Sequence, residues 1–225
     1  MRVIKKGLIL LSFMLSQQIS AQTDTLIYVA DPMCSWCYGF APEITEIKEM
    51  YPNMHLMLIM GGLRPFNTEK ISEMAEFLEH HWVEIHKRTD QEFSYDILDD
   101  SSFIYDTEPA ARAVIVAREL KPEAELDFFR ATQVAFYKLN KHTNDVNTYF
   151  PIAEKLGINK EEFVRLFNSE GIKQKTIKDF EMAQKMGVRG FPSLLLKHNG
   201  ELVMITRGYL KAKHIAATIN KELKN

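Results

Sequence analysis

The stretch Asp31-Pro32-Met33-Cys34-Ser35-Trp36-Cys37-Tyr38-Gly39-Phe40 decides how the chain reads, because it holds both cysteines of the 225-residue sequence in one C-x-x-C. An apolar, β-rich run precedes it, Thr25-Leu26-Ile27-Tyr28-Val29-Ala30. After it, Ile44, Ile47 and Met50/Tyr51 recur at helical spacing. A C-x-x-C between a strand and a helix sets its first thiol at a helix N-terminus. There the free backbone N–H groups and the positive end of the dipole favour a thiolate, the form that attacks disulfides. Two intervening residues let both sulfurs meet within one helical turn, so the pair can cycle between dithiol and disulfide.

Outward from that stretch, composition sets the class. The length suits one sizeable core, or a core carrying an inserted subdomain, and a hydrophobic share of 46% is ordinary for a globular protein. The formal charge is −2; residues 1–21 carry Arg2, Lys5 and Lys6 and no acid, so the remainder carries −5. That balance argues against a nucleic-acid partner. Arg2, Lys5 and Lys6, the apolar run 7–15 and the small residue Ala21 fit a secretory signal over residues 1–21. The run is short for a bilayer span, which makes an uncleaved anchor the weaker alternative. Export places the chain in a periplasmic or other extracytoplasmic compartment, where a disulfide persists. A bridge closing so short a loop restricts the unfolded chain little, so the pair is better explained by chemistry than by stability.

The coarse pattern begins β-α-β. A strand is expected over 25–30, a helix over 35–50 interrupted by Pro42, and a strand over 54–60 apolar enough to be buried on both faces, ended by Gly61-Gly62. A crossover between strands implies parallel pairing. Ile71, Met74, Ala75, Leu78, Trp82 and Ile85 form a helical stripe. Residues 90–106 lose the period, carry six acids and no Lys or Arg, and read as a solvated acidic loop, with substrate selection as the alternative. Thr107 is the expected N-cap of a helix to about 120; Pro122 opens another to about 140. Asn147 is expected to cap a short helix, Asn159 with Glu162 forms a capping box, and a helix over 172–186 stops at Gly187. Strands over 191–197 and 201–206 flank an Asn199-Gly200 turn and should be antiparallel, before a helix over 211–223.

This order, with C-x-x-C at the first helix and Gly187-Val188-Arg189-Gly190-Phe191-Pro192 before the third strand, resembles the thioredoxin fold. The helical block in its middle makes it resemble the DsbA superfamily. Asp31-Pro32-x-Cys34-x-Trp36-Cys37-Tyr38 is similar to that superfamily's FrnE-like branch and its branch of predicted protein-disulfide isomerases. The resemblance implies an α/β fold, a thioredoxin-like domain formed by 22–62 and 172–225 with an all-helical insertion at 63–171. It implies Cys34 as the exposed nucleophile, Cys37 as the resolving cysteine, and Pro192 as a cis-proline facing them, with the Phe191 backbone offered to a substrate segment. Ser35-Trp36 departs from the Pro-His of DsbA and the Gly-Pro of thioredoxin and puts no imidazole beside Cys34.

Other readings of these residues are weaker. A structural zinc site needs four ligands, and neither a second cysteine pair nor a matched histidine pair exists; His81 and His86 alone are a poor substitute. Asp31 suits a turn before Pro32, or a proton relay and tuner of the cysteines. Trp36 suits substrate contact or packing against the insertion. Tyr38 and Phe40 suit core or groove wall, and the eleven methionines suit core more than a permissive groove. The expectation is therefore an exported protein disulfide oxidoreductase, oxidase or isomerase, that uses no metal or organic cofactor. It acts on cysteine-containing proteins and is reset by a separate redox partner. A small-molecule isomerase or glutathione-dependent transferase of the same superfamily, or a thiol-independent chaperone, are the alternatives. The direction of electron flow stays open, since tens of millivolts decide it.

Overall fold

The computed structural model describes residues 24–224, so the expected signal segment lies outside the described residues. Strand β1 (Thr25–Ala30) leads into two short helices, α1 (Ser35–Gly39) and α2 (Ala41–Met50), and then into β2 (His55–Met60). After a helical middle come β3 (Ser193–His198), β4 (Glu201–Arg207) and the closing α9 (Ala212–Glu222). Among the described residues these strands form one sheet in the order β2-β1-β3-β4. β1 pairs parallel with β2, as a crossover demands, and antiparallel with β3. β3 and β4 are an antiparallel hairpin whose turn residues Asn199 and Gly200 both have positive φ (49° and 85°), the left-handed pair that a two-residue turn requires.

The expected single helix over 35–50 is two helices. The break falls at Phe40, and Pro42 sits in the first turn of α2, where its missing N–H and fixed φ cost nothing. β2 is also not buried on both faces. It is an edge strand, with Leu58, Ile59 and Met60 buried but His55 and Met57 exposed. Its last residues are the ones that cross the core. The methionines divide likewise: Met33 and Met60 are core, whereas Met50, Met57 and Met182 are exposed on outer surfaces.

The middle holds α3 (Ala75–Thr89), α4 (Glu108–Leu120), α5 (Glu125–Tyr137), α6 (Phe150–Lys155), α7 (Lys160–Phe167) and α8 (Glu170–Lys185). Ser169 and Asn159 cap α8 and α7 through their side chains. Two expected caps are displaced. Asp145, not Asn147, takes the capping role before α6, accepting from Asn147 N–H. Thr107 makes no cap hydrogen bond; Asp106 accepts from Glu108 N–H (2.9 Å) and frees the Thr107 hydroxyl for another task.

β1 is the spine. Leu26, Tyr28 and Ala30 face the main core of α1, α2, α4 and α5, while Ile27 and Val29 face Ala183 of α8 and Val188 on the other side. Arg118 of α4 and Asp179 of α8 close the free edge of β2. Arg118 donates to the Leu58 carbonyl (2.7 Å), Asp179 accepts from Met60 N–H (2.9 Å), and the two are ion-paired at 2.8 Å. The edge that would template another strand is thus occupied.

Residues 90–106 are not a plain solvated loop. Glu92, Asp96 and Asp99 point outward, but Ile97, Leu98, Phe103 and Tyr105 are buried in a second apolar cluster with Met33, Tyr38, Trp82, Phe136 and Tyr137. The segment satisfies its backbone through a short 3-10 turn (Asp96–Asp99) and a bridge between Lys70 and Ile104. Its apolar residues lack a helical or strand period because they anchor an irregular path.

Candidate active site

The C-x-x-C stretch turns off the end of β1. Asp31 begins the turn, and its carbonyl accepts from Cys34 N–H at 3.1 Å. Cys34 is the N-terminal boundary residue of α1, with an extended backbone and its carbonyl accepting from Tyr38 N–H (3.0 Å). Both thiols are free, with Cys37 fully buried inside α1. Cys34 is not the exposed sulfur expected from sequence. It is only 6% exposed, because it sits in the main core cluster with Trp36 and Phe191 packed against it.

The Phe191–Pro192 peptide bond is cis, and the Phe191 carbonyl oxygen lies 3.7 Å from Cys34 Sγ. The two motifs are 157 residues apart, and the fold brings them into contact. Pro192 is buried, and its carbonyl accepts from Gly208 N–H at 2.7 Å, tying the Pro192 loop to the end of β4. The Phe191 ring lies over Gly61. A Cβ at Gly61 would come within 2.1 Å of that ring, so glycine is what permits this approach.

Asp31 is completely buried, and its expected alternatives, turn former and titrating group, are combined in one side chain. One oxygen accepts from Met33 N–H (2.9 Å), an Asx-type turn. The other accepts from Leu63 N–H (2.8 Å) and the Thr107 hydroxyl (3.1 Å). Desolvation still dominates those hydrogen bonds and lifts the carboxyl to about 6. Burial pushes the Cys37 thiol well up, with Cys34 adding through a hydrogen bond and charge, and Asp31 charge adding further. The Tyr28 phenol, fully buried, is raised first by burial and then by its neighbours Cys37 and Cys34. Asp31 and Cys37 are thus two buried groups, with the Asp31 charge one of the influences that hold the Cys37 thiol up.

Trp36 is half-buried and lies between the C-terminal part and the insertion. Its ring lies 5.9 Å from that of Tyr209, and the Arg88 guanidinium of α3 sits 5.0 Å over it. Tyr38 and Phe40 are core, Tyr38 stacking on Tyr137 at 4.8 Å.

Sequence reasoning missed Tyr105 and Thr107. Tyr105 donates to the Met33 carbonyl (2.8 Å), so the end of the acidic segment is bonded to the C-x-x-C turn at two points. The available signal was Thr107 followed by Glu108-Pro109, which reads as a helix start and hides the side chain's long-range partner.

A four-stranded mixed sheet carrying C-x-x-C at its first helix, a cis-proline against the first cysteine and a helical block between the halves defines a thioredoxin-fold protein of the DsbA type. Over residues 25–209 the chain matches the DSBA-like thioredoxin domain family, and it belongs to that family of thiol–disulfide oxidoreductases. Among solved structures it is similar to a candidate protein disulfide isomerase from Nitrosomonas europaea. That match has 34% identity, covers 90% of this chain and 98% of that one, and has a TM-score of 0.82. It shares its fold with the cytosolic disulfide reductase DsbM from Pseudomonas aeruginosa, at 22% identity, with 89% and 98% covered and a TM-score of 0.73. No curated protein sequence matches the chain.

Proposed function

We propose that the chain is an exported protein disulfide oxidoreductase of the oxidase or isomerase kind, with Cys34 as the sulfur that meets substrate. What carries the reading is the Cys34 thiol 3.7 Å from the Phe191 carbonyl, at the one place where the two motifs converge. The Cys34 thiolate attacks a substrate disulfide; that S–S bond breaks, a mixed disulfide forms, and the released substrate thiolate takes a proton. Cys37 then gives its proton to Asp31 and attacks Cys34. The mixed disulfide breaks, the Cys34–Cys37 bond forms, and the substrate leaves carrying two electrons. Run in reverse, a substrate thiolate opens the Cys34–Cys37 bond and is oxidised. Isomerisation is the first step followed by rearrangement within the substrate, without resolution by Cys37.

Phe191 and Pro192 form the loop against which a substrate segment lies, and Trp36 borders it. Proteins with cysteines are the substrates, and a separate redox protein resets the pair. Export rests on Arg2, Lys5 and Lys6 before an apolar run in the sequence. The test is refolding of a small protein carrying scrambled disulfides, with the full chain and with Cys34→Ala. The chain should accelerate recovery and Cys34→Ala should abolish the acceleration; equal recovery with both would leave only a thiol-independent chaperone.

A further inference from the structure

Beside the reacting sulfur lies an open groove of about 550 Å³, lined by Gly187, Arg189, Gly190, Phe191, Arg207 and Gly208. Phe191 belongs both to this groove and to the contact with Cys34, so one residue links the groove to the cysteine pair. Its two arginines come from different elements. Arg189 lies in the loop after α8; Arg207 is the last residue of β4, registered opposite Ser193 next to Pro192. The hydrogen bond from Gly208 N–H to the Pro192 carbonyl holds these two rims together. A Cβ added at Gly187, Gly190 or Gly208 would meet nothing within 4 Å, so the floor of the groove is open rather than packed shut.

The arginines are set apart by their lack of partners. Among the described residues, Arg64, Arg88, Arg112, Arg118, Arg130 and Arg165 each pair with an Asp or Glu. Arg189 and Arg207 make no ion pair or side-chain hydrogen bond among the described residues, and both are exposed. The chain beyond its first 21 residues carries an excess of acids, so carboxylates were available to pair them. Two guanidinium groups left free in one groove at a reacting sulfur form a receptor for a carboxylate, whose planar oxygens match the guanidinium fork.

Resting on the redox role of Cys34 given above, we propose that Arg189 and Arg207 form a carboxylate-binding subsite that selects disulfides with a carboxylate near the reacting sulfur. The carboxylate has two sources, an Asp or Glu flanking the cysteine in a protein, or the free carboxylates of a small thiol peptide. Exchange rates of the reduced full chain with disulfide-bonded peptides that differ only in Glu, Gln or Lys beside the cysteine decide the matter. Oxidised glutathione and its carboxyl-esterified form make the second arm. The Glu peptide should react roughly 5- to 10-fold faster than the Gln peptide, with Lys slowest. The spread should shrink at about 500 mM salt, where charges are screened within a few ångströms. The Arg189→Gln/Arg207→Gln variant should level the rates, and Arg165→Gln on α7 should leave the spread intact. A Glu-peptide preference identifies the protein source; a preference only for free-acid glutathione disulfide identifies the small peptide. Equal rates for all peptides and both glutathione forms, or a spread retained in the double variant, overturns the subsite. Absence of exchange with every disulfide would instead overturn the redox role of Cys34.

Discussion

Asp31 sits where burial and hydrogen bonding oppose each other. Its folded-state value of about 6 lies above the ordinary 3.8, so the native chain binds this proton more tightly than the unfolded chain does. The carboxyl's contribution to stability is therefore fully present below pH ~4 and is lost as pH rises through ~6, by up to about 3 kcal/mol. Asp31→Asn removes that dependence. Its stability relative to the parent should rise by about that amount from pH 4 to pH 7, as read by denaturant unfolding at each pH. A constant offset across that range would show that Asp31 does not titrate there. Cys34, Cys37 and Asp31 stand out in the sequence because they share one short motif with local chemistry, whereas the cis-proline at Pro192 came from the resemblance to a family. Thr107 and Tyr105 were not legible. Thr107 reaches Asp31 across 76 positions and Tyr105 reaches the Met33 carbonyl across 72, distances no local pattern encodes.

At the scale of elements, the covered β2 edge of the sheet is the point of interest. Arg118 holds Asp179 and Glu125 and donates to Leu58, while Asp179 accepts from Met60 N–H. Removing one partner strands a mostly buried charge and opens the edge of β2. Arg118→Leu or Asp179→Leu alone should cost about 3–5 kcal/mol, and the double variant should cost clearly less than the sum of the two. Strict additivity in unfolding free energies would mean that the two side chains act separately. Element types were legible wherever a period was clean, as for β1, α3, α4 and the β3–β4 hairpin. The helix break at Phe40 was half legible: Pro42 marked it, but a proline in a first turn and a proline in a kink look alike from sequence. The acidic segment misled because charge count hid its buried Ile97, Leu98, Phe103 and Tyr105.

At the scale of the whole molecule, the helical middle does more than decorate the sheet. Arg88 lies over Trp36 from α3, and Thr107 and Tyr105 bond the C-x-x-C turn from the segment before α4. Parts of the chain far apart in sequence therefore set the environment of the sulfurs. The β-α-β and β-β-α ends, read with the order of the two motifs, made the architecture legible. Near-complete burial of Cys34 was not legible, since it depends on a core cluster assembled from elements far apart in the chain. The most direct measurement of the central claim is intact-mass and peptide-mapping analysis of Cys37→Ala after incubation with a disulfide-bonded peptide. A stable one-to-one adduct, bonded at Cys34 and released by added thiol, is the predicted result. A chain that stays unmodified while the peptide disulfide remains reactive toward other thiols would contradict it.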